Sequence, residues 1–119
     1  GHTVLGKAGE DISAGEIVYL KSDGKLWLAD ADGTGTMPVK AMATADISAQ
    51  ATGVFLLDGF MFLTAWEWTV GASLYAHTTP GAMTATAPSS SGDEVQRLAI
   101  AVSADVVNFR PSKDVLEIV

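Results

Sequence analysis

The sequence predicts an all-β domain: a small barrel or sandwich with an internal pseudo-repeat of hairpins and little or no helix. Three observations lead there. Gly, Pro or Asp-Gly interrupts the chain roughly every eight to twelve residues, the spacing of short strands joined by turns. No window of a dozen residues keeps apolar positions at i, i+3, i+4 and i+7, so a helix would have no stripe to bury. The chain also resembles itself. Ser13-Ala14-Gly15-Glu16-Ile17-Val18-Tyr19 recurs as Thr69-Val70-Gly71-Ala72-Ser73-Leu74-Tyr75, fifty-six positions later. Ala43-Thr44-Ala45-Asp46-Ile47 returns as Val102-Ser103-Ala104-Asp105-Val106, fifty-nine positions later. A single domain over 1–119 with pseudo-repeats at about 13–47 and 69–106 accounts for both.

The elements follow in order. Glu16–Leu20 and Lys25–Ala29 are short apolar runs around Asp23-Gly24, a dipeptide suited to a type I′ hairpin turn because both central residues take positive φ. Val39–Thr44 is a small-residue strand after the polar, Gly-rich loop Asp30–Thr36. Thr52–Leu57 and Phe60–Thr64 flank Asp58-Gly59, read as a second hairpin turn. Ser73–Ala76 and Met83–Thr86 flank Pro80-Gly81, which fits the centre of a type II turn. The Ser-rich loop Ala87–Asp93 leads to Arg97–Ser103 and Val106–Phe109, and Val115–Val119 forms a last strand or an extended arm.

Composition narrows the function. Nearly half of the 119 residues are apolar, which is globular composition. Seven basic and fourteen acidic residues give a net charge of −7 without a run of Lys or Arg. Nucleic acid and anionic membranes are therefore not expected partners, since phosphate neutralisation dominates such binding. The absence of cysteine removes disulfides and thiolate chemistry. The longest apolar stretch, Phe60 to Trp66, is interrupted by Thr64 and falls well below the roughly eighteen residues a spanning helix needs. No signal peptide is read, and Gly1-His2 is expected to be a remnant or processed start and not a functional amino terminus.

Candidate chemistry is thin. Asp30-Ala31-Asp32-Gly33-Thr34-Gly35 has the look of a calcium loop, but its fifth position is Thr where Asp or Asn is usual, and its twelfth is Ala41 where a bidentate Glu is required. His2 and His77 cannot by themselves build a zinc site. Glu67, between Trp66 and Trp68, would suit an acid in an apolar pocket but lacks an evident second carboxylate. A rim-placed, solvated Glu67 is the preferred assignment. No nucleophile elbow, phosphate loop or dinucleotide-binding glycine pattern occurs. The expectation is a protein that is not an enzyme and holds no metal or cofactor.

The aromatic run is the sharpest feature. Written as a strand from Phe60, the even positions are Phe60, Phe62, Thr64, Trp66 and Trp68, putting four aromatics on one face. Met61, Leu63 and Ala65 make the start of the other face apolar as well, so cover is needed on both, at a barrel centre or at a subunit interface. Phe60, Phe62, Trp66 and Trp68 are accordingly the candidate interface. A stacking platform for sugar rings is the rival explanation. Packing is preferred because Leu56, Leu57, Met61 and Leu63 surround the aromatics where polar partners would be expected.

The segment Ala8-Gly9-Glu10-Asp11-Ile12-Ser13-Ala14-Gly15-Glu16-Ile17-Val18-Tyr19-Leu20, followed by Asp23-Gly24-Lys25, carries a family likeness. So do Ala41 to Ala45, Thr52-Gly53-Val54, Val70-Gly71-x-x-Leu74-Tyr75, Arg97 to Ala104 and Val107-Asn108-Phe109-Arg110-Pro111. Together they resemble the capsid decoration (cementing, head-stabilising) proteins of tailed bacteriophages and the related small β-domains of head and tail fibres. The resemblance implies a non-enzymatic virion protein, a homotrimer on the outer capsid surface whose partners are itself and the major capsid protein. It would hold neighbouring capsomers together. The segment available for a capsid-clipping arm is Gly1–Ala8. The alternative carried by the same texture is a tail- or fibre-associated receptor- or carbohydrate-binding domain.

Overall fold

In the computed structural model, which describes residues 1–32, 35–64, 66–113 and 115–117, strands account for all the regular structure and no helix occurs among the described residues. The strands are β1 (His2–Lys7), β2 (Ile17–Leu20), β3 (Leu26–Leu28), β4 (Ala41–Ala43), β5 (Thr52–Phe62), β6 (Ser73–Ala76), β7 (Met83–Thr84), β8 (Glu94–Val95), β9 (Arg97–Ala101), β10 (Val106–Phe109) and β11 (Leu116–Glu117). Nine form one curled antiparallel sheet, a half-barrel, in the order β3-β2-β4-β5-β10-β9-β6-β7 with β1 also on β5. β8 and β11 pair separately. Part of the predicted last strand, Ile118 and Val119, lies outside the described residues, as do Gly33 and Thr34 of the Asp30–Thr36 loop.

The strand order reads the same from both ends once β3-β2-β4-β5 is set against β7-β6-β9-β10. The hydrogen bonds correspond as well. Glu16 N–H donates to Ser13 C=O at 3.1 Å and Ala72 N–H to Thr69 C=O at 3.0 Å, around Gly15 and Gly71 at φ of 83° and 85°. Gly15 donates to Ala43 C=O and Gly71 to Ala101 C=O; Ala43 donates back to Glu16 and Ala101 to Ala72. The ladder Ile17–Met42–Leu56 matches Ser73–Ile100–Asn108. In this correspondence Ala43 aligns with Ala101, one position before Val102, because the ladder and not residue similarity fixes the register.

Three expectations are corrected. Asp58-Gly59 is not a hairpin turn: β5 continues through it for 11 residues, pairing with β1 over Thr52–Asp58 and with β10 over Gly59–Phe62. The register slips between His2 and Thr3, leaving Leu57 as an extra residue on β5, and Gly59 sits at φ 132°, where a side chain would be strained. The Gly serves an irregularity inside a strand, and Leu56 and Met61, of opposite parity, come to face the same core. At Asp23-Gly24 the hairpin forms, but only Gly24 has positive φ, at 83°. Gly24 N–H donates to Lys21 C=O and Lys21 N–H to Lys25 C=O, so the loop is a type I turn closed by a left-handed Gly. Finally, Gly1–Ala8, the segment available for an arm, is bound to the domain. β1 is laid along β5, and His2 Nδ1 lies 3.0 Å from an Asp58 carboxylate oxygen. That hydrogen bond is the leading reason the Asp58 carboxyl is held below its ordinary range.

Pro80-Gly81 forms its turn as predicted, with Ala82 N–H donating to Thr79 C=O at 3.2 Å and Gly81 at φ 79°.

Alternation along β2 and β4 sends side chains into two cores. Ile17 and Met42 join Leu56, Leu74, Leu98, Val107 and Phe109 in the larger one, between the two halves of the sheet. Val18, Ala41 and Ala43 join Phe55, Ile12, Leu26 and Ile47 in the smaller one beneath the N-terminal segment. One buried polar side chain ties the larger core to both flanking segments. Gln96, 1% exposed, accepts from Val39 N–H at 2.8 Å and donates to Val39 C=O at 3.2 Å and Ser112 C=O at 2.8 Å. Replacing Gln96 with Leu keeps the volume but strands these three backbone groups. Urea unfolding should show a loss of about 2–4 kcal/mol, with a surface change such as Ser22→Ala as the near-neutral reference.

Candidate interaction surface

β5, β10 and β9 point alternate side chains away from the larger core. Opposite each other in the ladders lie Phe60, Asn108, Ile100 and Ser73, and beside them Phe62 faces Val106. Phe60 is 70% exposed and Phe62 56%, with Ile100 at 41%. Val102, 44% exposed, donates its N–H to Val106 C=O and extends the apolar area. These side chains stand on paired strands, which fixes their spacing, and isolated exposed apolar residues would need no account where this contiguous group does. The matching row of the other half, Ile17, Met42 and Leu56, is buried in the larger core. The same face of the repeated unit is thus covered once and bare once.

The four aromatics of the candidate interface are not brought together. β5 ends at Phe62, and the following chain turns back: Leu63 N–H donates to Asp105 C=O, Trp66 N–H to Leu63 C=O and Trp68 N–H to Ala104 C=O. Trp66 and Trp68 are half-buried against the larger core, ring centroids 6.2 Å apart and 47° between planes. A strand reaching Trp68 is ruled out because the backbone hydrogen bonds there go to the Asp105 loop and not to a neighbouring strand. Ala65, counted on the other face of that stretch, lies outside the described residues. Phe60 and Phe62 are both exposed, and their ladder neighbours are Asn108 and Val106, with Ile100 one strand further on. Sequence periodicity exposes Val106 and Asn108 as alternating with Val107 and Phe109, but it does not say which face is covered.

A sugar platform finds little support in the tryptophans. They border a depression of about 330 Å³ with Gly15, Glu16, Leu63 and Met83. Glu16 Oε1 already accepts from Ser13 N–H at 2.7 Å, and Trp68 Nε1 is buried with no partner among the described residues. Glu67 is exposed between them.

The other candidates also resolve into structural roles. Asp30 Oδ1 accepts from Asp32 N–H at 3.1 Å, a local turn contact; Gly33 and Thr34 of that string lie outside the described residues. His77 Nδ1 accepts from Thr79 N–H at 2.9 Å. Among the described residues no three His, Cys, Asp or Glu side chains gather as a metal site would require.

One grouping is invisible in the linear sequence. Arg97 and Arg110 line a depression of about 340 Å³ at the edge of the apolar face, with Ile100, Asn108 and Pro111. Across Pro111 a second depression of about 240 Å³ is lined by Lys40 and Lys113. The chain has no run of Lys or Arg, but the fold places four of its seven basic residues around these two depressions. None of the four makes an ion pair among the described residues, where the ion pair present is His2–Asp58.

A separate apolar groove of about 350 Å³ runs between Val4, Leu5, Leu20, Leu26 and Leu57 on the β1 side. Comparison with known proteins finds no matching family model, no matching curated protein and no matching solved structure.

The two aromatic pairs should separate by mutation. Phe60→Ser with Phe62→Ser should leave thermal stability within about 0.5 kcal/mol while lowering the mass measured by light scattering. Trp66→Ala should instead destabilise the fold by about 2–3 kcal/mol, below the full-burial range because the ring is only half-buried. Equal destabilisation by both changes would contradict this assignment.

Proposed function

We propose that the chain is a non-enzymatic structural domain that self-associates, as a homotrimer, and attaches to the outside of an assembled protein shell: a capsid decoration protein of the phage type, residing on the virion surface. The observation that carries the proposal is the contiguous apolar face of Phe60, Phe62, Ile100 and Val106, held on paired strands and lacking the cover its counterpart has. Such a face favours protein contact over small-molecule binding, because it is broad and has few converging polar groups. The family texture of Ala8–Pro111 supplies the choice of the capsid as the partner, and the major capsid protein as the surface contacted.

Decoration also fits the thermodynamics of a small domain. Several weak contacts made at once by a trimer add through effective concentration, provided the shell presents its sites at fixed spacing. Free capsid subunits lack that spacing. Nucleic acid, membrane, metal and cofactor play no part in this function.

The test is co-sedimentation of the purified protein with expanded, DNA-free heads of its virus, with unassembled capsid protein and with host cells. Retention on heads, at least tenfold above unassembled subunits, is the expected outcome. Binding to cells with none to heads would move the assignment to a tail- or fibre-associated receptor- or carbohydrate-binding domain.

A further inference from the structure

We infer that copies of this chain associate head to tail, with the basic edge formed by Arg97, Arg110, Lys40 and Lys113 receiving the acidic surface of the next copy. The inference rests on the self-association proposed above and specifies its chemistry. Its ground is the charge segregation the fold creates. Four of seven cations border two adjoining depressions, while the chain as a whole carries fourteen acidic residues and a net charge of −7.

Strand pairing builds the edge. Arg110 N–H donates to Leu98 C=O at 2.7 Å and Ser112 N–H to Arg97 C=O at 2.8 Å, which carries Arg97 and Arg110 onto neighbouring stretches of main chain. Gln96 then ties Ser112 to Val39, bringing Lys113 and Lys40 alongside. Both arginines are exposed and neither is in an ion pair among the described residues, so both guanidinium forks are open to carboxylates. The edge adjoins Ile100 of the apolar face, so one contact can bury the apolar face and pair the cations at its rim.

Charge decides the geometry. A twofold contact centred on this edge would set the four cations of one copy against the same four of the other. A heterologous contact sets them against carboxylates, and closes into a ring when the rotation per copy divides a full turn. A threefold ring is the smallest such closure and agrees with the trimer. Phosphate-bearing polymers share the chemistry, but the net charge of −7 repels them over most of the surface.

Light scattering and sedimentation of the purified protein, without heads, test the inference. Raising NaCl from about 50 to about 500 mM should weaken self-association at least tenfold, through screening of the rim pairs. Arg97→Glu with Arg110→Glu should weaken it at least a hundredfold with an unchanged melting curve, since both side chains are exposed. Arg97→Lys with Arg110→Lys should retain part of the affinity. Because the reversed variant keeps its acidic surface, an excess of it should break up wild-type rings. Self-association that survives charge reversal and high salt but is lost in the Phe60, Phe62 double variant would overturn the head-to-tail pairing and leave the apolar self-association intact. A monomer under all conditions would overturn both. Tight binding of a duplex oligonucleotide at the same salt, lost on charge reversal, would assign the edge to a polyanion instead.

Discussion

The molecule hangs on β5. It is the one strand shared by both halves, paired with β1 and β4 along Thr52–Asp58 and with β10 beyond Gly59. Everything on either side takes its register from it. A regular strand of this length would keep one parity on each face, so Leu56 and Met61 would point apart. The extra residue at Leu57 and the positive φ of Gly59 remove that conflict, and one strand can then serve the larger core at two places. The irregularity is therefore a requirement of sharing a strand between two units, and it explains why a turn-forming dipeptide sits where no turn is made.

Correspondence between the halves stops at burial. Matched ladders place Val18, Ala41 and Ala43 opposite the same neighbours as Leu74, Ala99 and Ala101, and both sets are buried. The reverse faces diverge. In the first half, Ile17 and Met42 meet the second half across the larger core. In the second half, Ile100 and its neighbours Phe60 and Phe62 meet solvent. Two like units stacked face to back must leave one such face over, because the stack has an outside. An apolar outside face is then the consequence of the arrangement, and Phe60 and Phe62 are its most exposed side chains.

The physical character of that surface comes from two different interactions. Its centre is apolar and insensitive to salt; its edge is cationic and screened by salt. Gln96 connects edge to core, since the same side chain that satisfies Val39 inside also positions Ser112 beside Arg97. Fold stability and the placement of the basic edge are coupled through one amide.

What the sequence determined by itself was the class of fold, most of the strands and the hairpin at Pro80-Gly81, because turn chemistry and alternation are local properties. It also placed Phe60 and Phe62 together on one face by strand alternation, while which face stays uncovered was settled by packing. Local pattern could not separate a Gly that turns the chain from a Gly that bulges a strand, and Asp58-Gly59 depended on β1 and β10 offering partners to both sides. Nor could it foresee that Trp66 and Trp68 leave the aromatic face, since the main-chain hydrogen bonds that redirect them come from Ala104 and Asp105, some forty residues away. β1 was missed because its six residues are mostly exposed and owe their conformation to β5. The basic edge was decided only by the tertiary structure. Lys40, Arg97, Arg110 and Lys113 are scattered in the chain, and a charged patch is a matter of distance in space, which strand pairing sets and sequence spacing does not.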